Sequence, residues 1–137
     1  MINAIAFTVP GEPQGKGRAR STSTGRHYTP AKTVAYEGLI AQIAQAAMRG
    51  APLFEGACAL ELDIMRSIPS SWSQRKQQDA MLNSIRPTGK PDADNVLKAC
   101  CDGMNGVVWK DDAQAVDVTV RKFYAATPGV RVWVAEL

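Results

Sequence analysis

Four stretches of the chain alternate hydrophobic and polar residues, the period-two pattern of a half-buried β-strand. They lie at residues 2–9, 58–65, 116–121 and 130–134. In the first of them, Ile5, Phe7 and Val9 face one side of an extended backbone and their neighbours face the other. Thr127-Pro128-Gly129 separates the last two stretches and predicts a turn, so we expect those two strands to form a hairpin.

Apolar residues at helical spacing predict helices between these strands. One begins near Pro30, carries Tyr36 and Ile40 a turn apart, and ends at Gly50. Another carries apolar residues over positions 96–104, followed by Asn105-Gly106 as its stop. After it, Val107-Val108-Trp109 indicates a short strand.

A polar helix near residues 71–84 has few hydrophobic positions, and Pro69-Ser70-Ser71 supplies its cap. We expect Trp72, Met81 and Leu82 to be its buried contacts. Basic residues surround this helix and make it a second candidate for contacts with a nucleic-acid backbone. They are Arg66, Arg75, Lys76 and Arg86.

The predicted elements follow the order β-α-β-α-α-β-β. This order indicates an α+β fold in which a single layer of mixed β-sheet, about four strands, packs with about three helices. A length of 137 residues fits one domain, so we expect a single domain over residues 1–137.

Composition excludes several classes of protein. A hydrophobic content of 45% excludes a wholly disordered chain, and without an 18-residue apolar run we expect no membrane span. The start of the chain lacks the features of a signal peptide. The chain has three cysteines, an odd number without the spacing of a metal site: Cys58, Cys100 and Cys101. We therefore expect buried free thiols, which suit a reducing cytoplasm.

The net charge of +3 is distributed unevenly. Between Glu12 and Lys32 the cations outnumber the acids by five to one, in a segment rich in Gly, Ser and Thr. Such a segment is either a solvated loop or a flexible arm whose cations contact phosphates. The acidic cluster described next favours the arm. The candidate DNA-binding residues are Lys16, Arg18, Arg20, Arg26 and, further along the chain, Lys90.

The most unusual chemistry lies between Lys90 and Asp112. Asp92 and Asp94 are two residues apart, which places both carboxylates on one side of an extended backbone. Lys98 follows Asp94 by four residues, which stacks the two on one face of a helix. The pair Asp111-Asp112 can return to the same place. Carboxylates gathered in this way repel one another unless a divalent cation or a cationic neighbour compensates.

Each feature also has a structural interpretation. Asp94 or Asn95 can cap a helix without any metal, and Lys98 can simply pair with Asp102. Other metal or hydrolase sites fit worse. An EF-hand starting at Asp92 would lack its glycine and its glutamate, a zinc site lacks ligands, and a triad would depend on the lone His27.

The segment Lys-Pro-Asp-Ala-Asp-Asn-Val-Leu-Lys at residues 90–98, with a helix and an acidic pair after it, resembles the signature of the RusA-type Holliday-junction endonucleases. Residues 7–13 and 28–37 are similar to the amino-terminal half of that family. The resemblance implies that Asp92, Asp94 and Asp112 bind the metal and that Lys98 is the catalytic lysine. Because the connection after Asp94 is slightly shorter than in the best-known member, Asp111 competes with Asp112.

We therefore expect an endonuclease that uses Mg²⁺, or Mn²⁺, to resolve four-way junctions and other branched DNA in recombination and repair. A non-catalytic nucleic-acid-binding domain is the main alternative, and a phosphohydrolase acting on small substrates is another. Two opposed cuts in one junction require two acidic clusters, which favours a homodimer, as in the resembled family. Its interface could use Val130, Val132, Val134 and Trp133, unless that face completes the core of the monomer.

Overall fold

The computed structural model describes residues 2–17, 20–21, 23, 25, 27–28 and 30–137, with only the backbone given for 20–21 and 27–28. The strands are β1 (Ala4–Pro10), β2 (Arg20–Ser21), β3 (His27–Tyr28), β4 (Cys58–Ser67), β5 (Ala115–Ala125) and β6 (Gly129–Glu136). The helices are α1 (Ala31–Met48), α2 (Gln74–Met81) and α3 (Ala93–Met104), and a 3-10 turn covers Asp112–Gln114.

Four strands form one mixed sheet in the order β1-β6-β4-β5. Strands β4 and β5 are parallel, and the other two pairings are antiparallel. The short strands β2 and β3 form a separate antiparallel pair. The expected α+β architecture, with a mixed four-stranded sheet and three helices, is confirmed.

The expected hairpin between the last two strands is wrong, because β4 lies between β5 and β6. Residues 126–128 carry the chain past the end of β4 instead of turning it onto its neighbour. Burial explains the order. In β4 the side chains of Leu60, Leu62 and Ile64 are fully buried, whereas Val116 and Val118 of β5 are exposed. The strand with this fully buried row of side chains therefore takes a central position, and β5 takes the edge.

Helices α1 and α3 share one core with the sheet. Val130, Val132 and Val134 of β6 are buried in this core together with Ile40 of α1 and Met104 of α3. The three valines therefore complete the core of this chain and offer no face to a second copy. Trp133, which lies between them in sequence, is 37% exposed.

Two local expectations need correction. Met81 and Leu82 are not buried contacts of α2, since they are 53% and 75% exposed; Ala80 is the buried residue of this helix. The expected strand at residues 107–109 is a turn, held by a hydrogen bond from the Gly106 amide to the Trp109 carbonyl at 2.7 Å. Gly106 has a φ of 78°, which turns the chain out of the helix where a strand would have continued straight.

All three cysteines are buried and free, as expected. In the part of the chain that the structure describes, no helix has the length and apolar character needed to cross a membrane.

Candidate active site

Helix α3 places the signature residues along one stripe. Asp94, Lys98 and Asp102 follow one another at four-residue intervals, so their side chains lie on the same face. The Nζ of Lys98 lies 3.0 Å from Oδ1 of Asp102 and 3.9 Å from Oδ2 of Asp112. The pairing with Asp102 that the sequence left open is therefore present, and the same ammonium also lies near the acidic pair.

The two members of the acidic pair have different surroundings. The carboxylate of Asp111 accepts a hydrogen bond from the Ala113 amide at 2.9 Å and caps the 3-10 turn. The carboxylate of Asp112 instead lies beside Lys98 and 3.5 Å from the side-chain amide nitrogen of Asn105. Because the Asp111 carboxylate already accepts a backbone hydrogen bond, this geometry favours Asp112 as the functional acid.

Asn105 is held by a neighbour. The indole Nε1 of Trp109 donates a hydrogen bond to Asn105 Oδ1 at 2.9 Å. Trp109 is fully buried, so this contact fixes the orientation of the Asn105 amide from inside the core. The amide nitrogen is thereby directed toward Asp112, a supporting contact that no local sequence pattern indicates.

Asp92 stands at the N-cap position of α3, yet its side chain makes no capping hydrogen bond within the described part of the chain. Its carboxylate lies exposed in a groove of about 920 Å³, which Lys32, Lys90 and Asn95 also line. Asp94 occupies the first turn of the helix, where the positive end of the helix dipole favours an acid. The expected cap at Asp94 or Asn95 is wrong, because the helix begins at Ala93 and both residues lie inside it.

Oxygen ligands of this kind suit a hard divalent cation such as Mg²⁺ or Mn²⁺. The chemistry of Asp92, Asp94 and Asp112 fits such an ion. Among the described residues, however, no three His, Cys, Asp or Glu side chains are gathered into a metal-sized group. A cation shared by these three acids stays a prediction.

Lys16 has a position that the sequence did not indicate. Its Nζ lies 2.5 Å from Oδ2 of Asp102 and 2.9 Å from Oε2 of Glu37 on α1. That oxygen of Glu37 is buried and has this ion pair but no well-aligned hydrogen bond among the described residues. Since 86 positions separate Lys16 from Asp102, no local pattern could have revealed the contact.

The charges in this group stabilise one another. Burial opposes ionisation of Asp102, but hydrogen bonds from Lys16 and Lys98 outweigh it and lower the pKa of this carboxyl. The hydrogen bond to Asp102 is the main reason that the pKa of Lys98 is raised. Lys98 is therefore a cation at neutral pH, held between two carboxylates.

A sequence model described as "Endodeoxyribonuclease RusA" matches residues 10–135, nearly the whole chain. The chain belongs to the RusA family. An uncharacterized Bacillus subtilis (strain 168) protein, YqaN, is 36% identical to it over 141 residues, with 99% of each chain covered. The matched residues include those that line the groove, helix α3 and the acidic pair. Membership of the family indicates an endodeoxyribonuclease.

Of the five residues that this RusA-family chain was expected to use for DNA binding, the structure describes the side chains of Lys16 and Lys90. Arg18 and Arg26 lie outside the described residues, and only the backbone of Arg20 is described. Lys90 is exposed at the rim of the groove that contains Asp92.

The second basic region lies on β4, on α2 and in the segment after α2; its expected members are Arg66, Arg75, Lys76 and Arg86. Arg86 stacks over the ring of Phe123 at 4.2 Å, and Lys122 Nζ donates a hydrogen bond to the Gly89 carbonyl at 2.6 Å. Gly89 directly precedes Lys90. These contacts place basic side chains next to the start of the RusA signature.

Proposed function

We propose that this protein is a Mg²⁺-dependent endonuclease that resolves four-way DNA junctions in recombination and repair by hydrolysing phosphodiester bonds. One observation carries the proposal: Lys98 lies between Asp102 and Asp112, one helical turn after Asp94. Family membership supports the nuclease activity and the branched DNA substrate.

Asp92, Asp94 and Asp112 would hold the metal ion, and Mn²⁺ would suit the same ligands. A bound ion of this type activates water and neutralises charge on the scissile phosphate. The side chain of Lys98 is 58% exposed and its ammonium is protonated, so it is available to stabilise negative charge that develops on the phosphate. Asp102 holds this ammonium beside Asp112.

The groove next to the acids supports a path for the DNA backbone. Lys32 and Lys90 line it together with Asp92, so a phosphate bound by either lysine would lie close to the proposed metal ligands. Gly17 lines the same groove, and the basic segment that contains Arg18, Arg20 and Arg26 follows it in the sequence. These cations would supply affinity that does not depend on base sequence.

A homodimer is part of the proposal, because a junction has approximate two-fold symmetry and its resolution requires two opposed cuts. Each chain contains one signature and one acidic pair, so one chain supplies one cut.

Cleavage of a labelled four-way junction, compared with a linear duplex of the same sequence, tests the proposal. The wild-type protein should cut the junction with Mg²⁺ and not with EDTA. Asp92→Asn and Asp94→Asn should abolish cutting and preserve or tighten binding, because repulsion toward the phosphates falls. A folded wild-type protein that binds the junction but never cuts it would instead indicate a non-catalytic binding domain.

A further inference from the structure

We propose that Lys16 is a positioning residue for Lys98 and makes no phosphate contact. This inference rests on the proposed nuclease function. The observation behind it is a chain of alternating charges: Glu37, Lys16, Asp102, Lys98 and Asp112, each in contact with the next.

The backbone around Lys16 is fixed to both helices. The Lys16 amide donates a hydrogen bond to the Asn95 carbonyl at 3.1 Å, and the Gly17 amide donates to Oγ1 of Thr33 at 2.9 Å. Gly15 lies so close to α3 that a β-carbon built on it would be 3.0 Å from the β-carbon of Asn95. The Lys16 ammonium therefore extends from a segment tied to the start of α3 and the start of α1.

The side chain of Lys16 is also committed to its partners. It is 27% exposed and lies between two carboxylates that are more buried still, Glu37 and Asp102. A DNA phosphate could recruit this ammonium only by taking it from two partly buried carboxylates. Asp102 would keep Lys98, but Glu37 has no other cation among the described residues, so the loss is costly. Lys32 and Lys90, exposed in the same groove, can contact phosphates without that cost.

Asp102 connects Lys16 to the catalytic lysine. Its Oδ2 is occupied by Lys16, which leaves Oδ1 for Lys98. Lys16 thus fixes the rotation of the Asp102 carboxylate, and the carboxylate in turn holds Lys98 beside Asp112. Without Lys16, Asp102 and Glu37 would repel each other, Asp102 would lose its fixed orientation, and Lys98 would lose its defined position.

Four single variants of the full chain separate a positioning role from a phosphate contact. Lys16→Gln removes the cation, and Lys16→Arg keeps one that can reach both carboxylates. Lys90→Gln removes a proposed phosphate contact. Arg49→Gln removes one positive charge at the other end of α1, about 18 Å along the helix from Glu37 by helical rise.

Two quantities are measured for each variant. The first is the single-turnover cleavage rate at saturating junction. The second is the salt slope, the steepness with which the logarithm of the binding constant falls against the logarithm of salt concentration, measured in EDTA. For Lys16→Gln we expect the rate to fall about 10- to 100-fold, the loss typical of a displaced catalytic group. Its salt slope should equal that of the wild type, and Lys16→Arg should recover most of the rate. For Lys90→Gln the slope should fall by roughly 0.9. Arg49→Gln should change neither quantity.

A slope lowered by roughly 0.9 in Lys16→Gln, with the rate unchanged, would overturn the proposal and make Lys16 a phosphate contact. If Lys16→Gln does not fold, Glu37→Gln replaces it, since it keeps the cation and removes one anchor. Its rate should fall by a smaller factor at an unchanged slope; an unchanged rate would overturn the proposal.

The nuclease function and this inference can fail separately. If the wild-type protein cuts no DNA, the position of Lys98 is still measurable from the NMR signals of its side chain without metal. Lys16→Gln should shift the Lys98 Cε signal, and Lys90→Gln should leave it in place. Equal, negligible shifts in both variants would overturn the positioning role whatever the protein cleaves.

Discussion

Gly103 on α3 lies directly against Ile40 on α1: a β-carbon built on Gly103 would come within 2.8 Å of the β-carbon of Ile40. The same position is 3.0 Å from the Glu37 carbonyl oxygen. Only a residue without a side chain lets the two helices approach this closely. Their distance in turn allows Glu37 and Asp102 to share the ammonium of Lys16.

Gly103→Ala should therefore destabilise the protein. Overpacking a core costs about 1–3 kcal/mol, and the gain in helix propensity from Gly to Ala offsets at most about 1 kcal/mol of it. Cleavage should slow as well, because the helices that carry Glu37 and Asp102, the two partners of Lys16, move apart. Denaturant unfolding and single-turnover cleavage measure the two effects.

Gly38→Ala is the matched control. Gly38 is exposed on α1, and a β-carbon there would meet none of the described residues within 4 Å. This variant should gain roughly 0.5–1 kcal/mol from helix propensity. If Gly103→Ala were as stable as Gly38→Ala, the close contact would not set the helix distance.

Asp112→Asn should abolish cleavage, and Asp111→Asn should not. Asn at position 111 can still accept the hydrogen bond from the Ala113 amide, so the 3-10 turn keeps its cap. Junction cleavage and binding in Mg²⁺ compare the two variants. The reverse result would assign the metal-binding role to Asp111.

Lys98→Ala should reduce the cleavage rate more than it reduces affinity for the junction. Its ammonium lies beside the acids and not along the groove, so its removal deprives the reacting phosphate of a positive charge. Rates at saturating DNA and dissociation constants in EDTA separate these effects. A variant that cuts at the wild-type rate would leave Lys98 with only its pairing to Asp102.

Stability should decline in alkaline solution. Burial raises the pKa of the Cys100 thiol from 9.0 to about 12 and that of the Tyr36 hydroxyl from 10.0 to about 12. Above pH 9 the unfolded chain releases protons that the folded chain retains, so unfolding becomes easier as pH rises toward 12. Below pH 9 this contribution to stability is fully present.

Urea unfolding midpoints measured at intervals between pH 7.5 and about 11 test this expectation. Cys100→Ala removes one of the titrating groups, so its midpoint should fall less steeply with pH even if the variant is less stable at neutral pH. Midpoints that do not change with pH in the wild type would contradict the burial of these groups.

The protein should sediment as a dimer at micromolar concentration and low salt. Its interface must lie outside the face formed by Val130, Val132 and Val134, since the core of the monomer already uses these residues. Coordinated cutting of both junction strands by a protein that sediments as a monomer would refute the dimer.

Much of the fold could be predicted because its signals are local. Alternation in β1 and helical spacing in α1 depend on neighbouring residues, and both elements appear within a few residues of their expected bounds. Strand order could not be predicted in this way. The valines of β5 and β6 alternate equally well, and only burial in the assembled core places β4 between them.

The sequence alone determined the spacing of Asp92, Asp94 and Lys98 and, through it, the resemblance to a nuclease family. It named Asp112 with Asp111 as a competitor, and it assigned Lys16 to the DNA. Tertiary structure distinguished the two acids, because one caps a turn and the other lies beside Lys98. It also brought Lys16 to Asp102. The sequence could not reveal this contact, because the two residues are 86 positions apart and their approach depends on how closely α1 packs on α3.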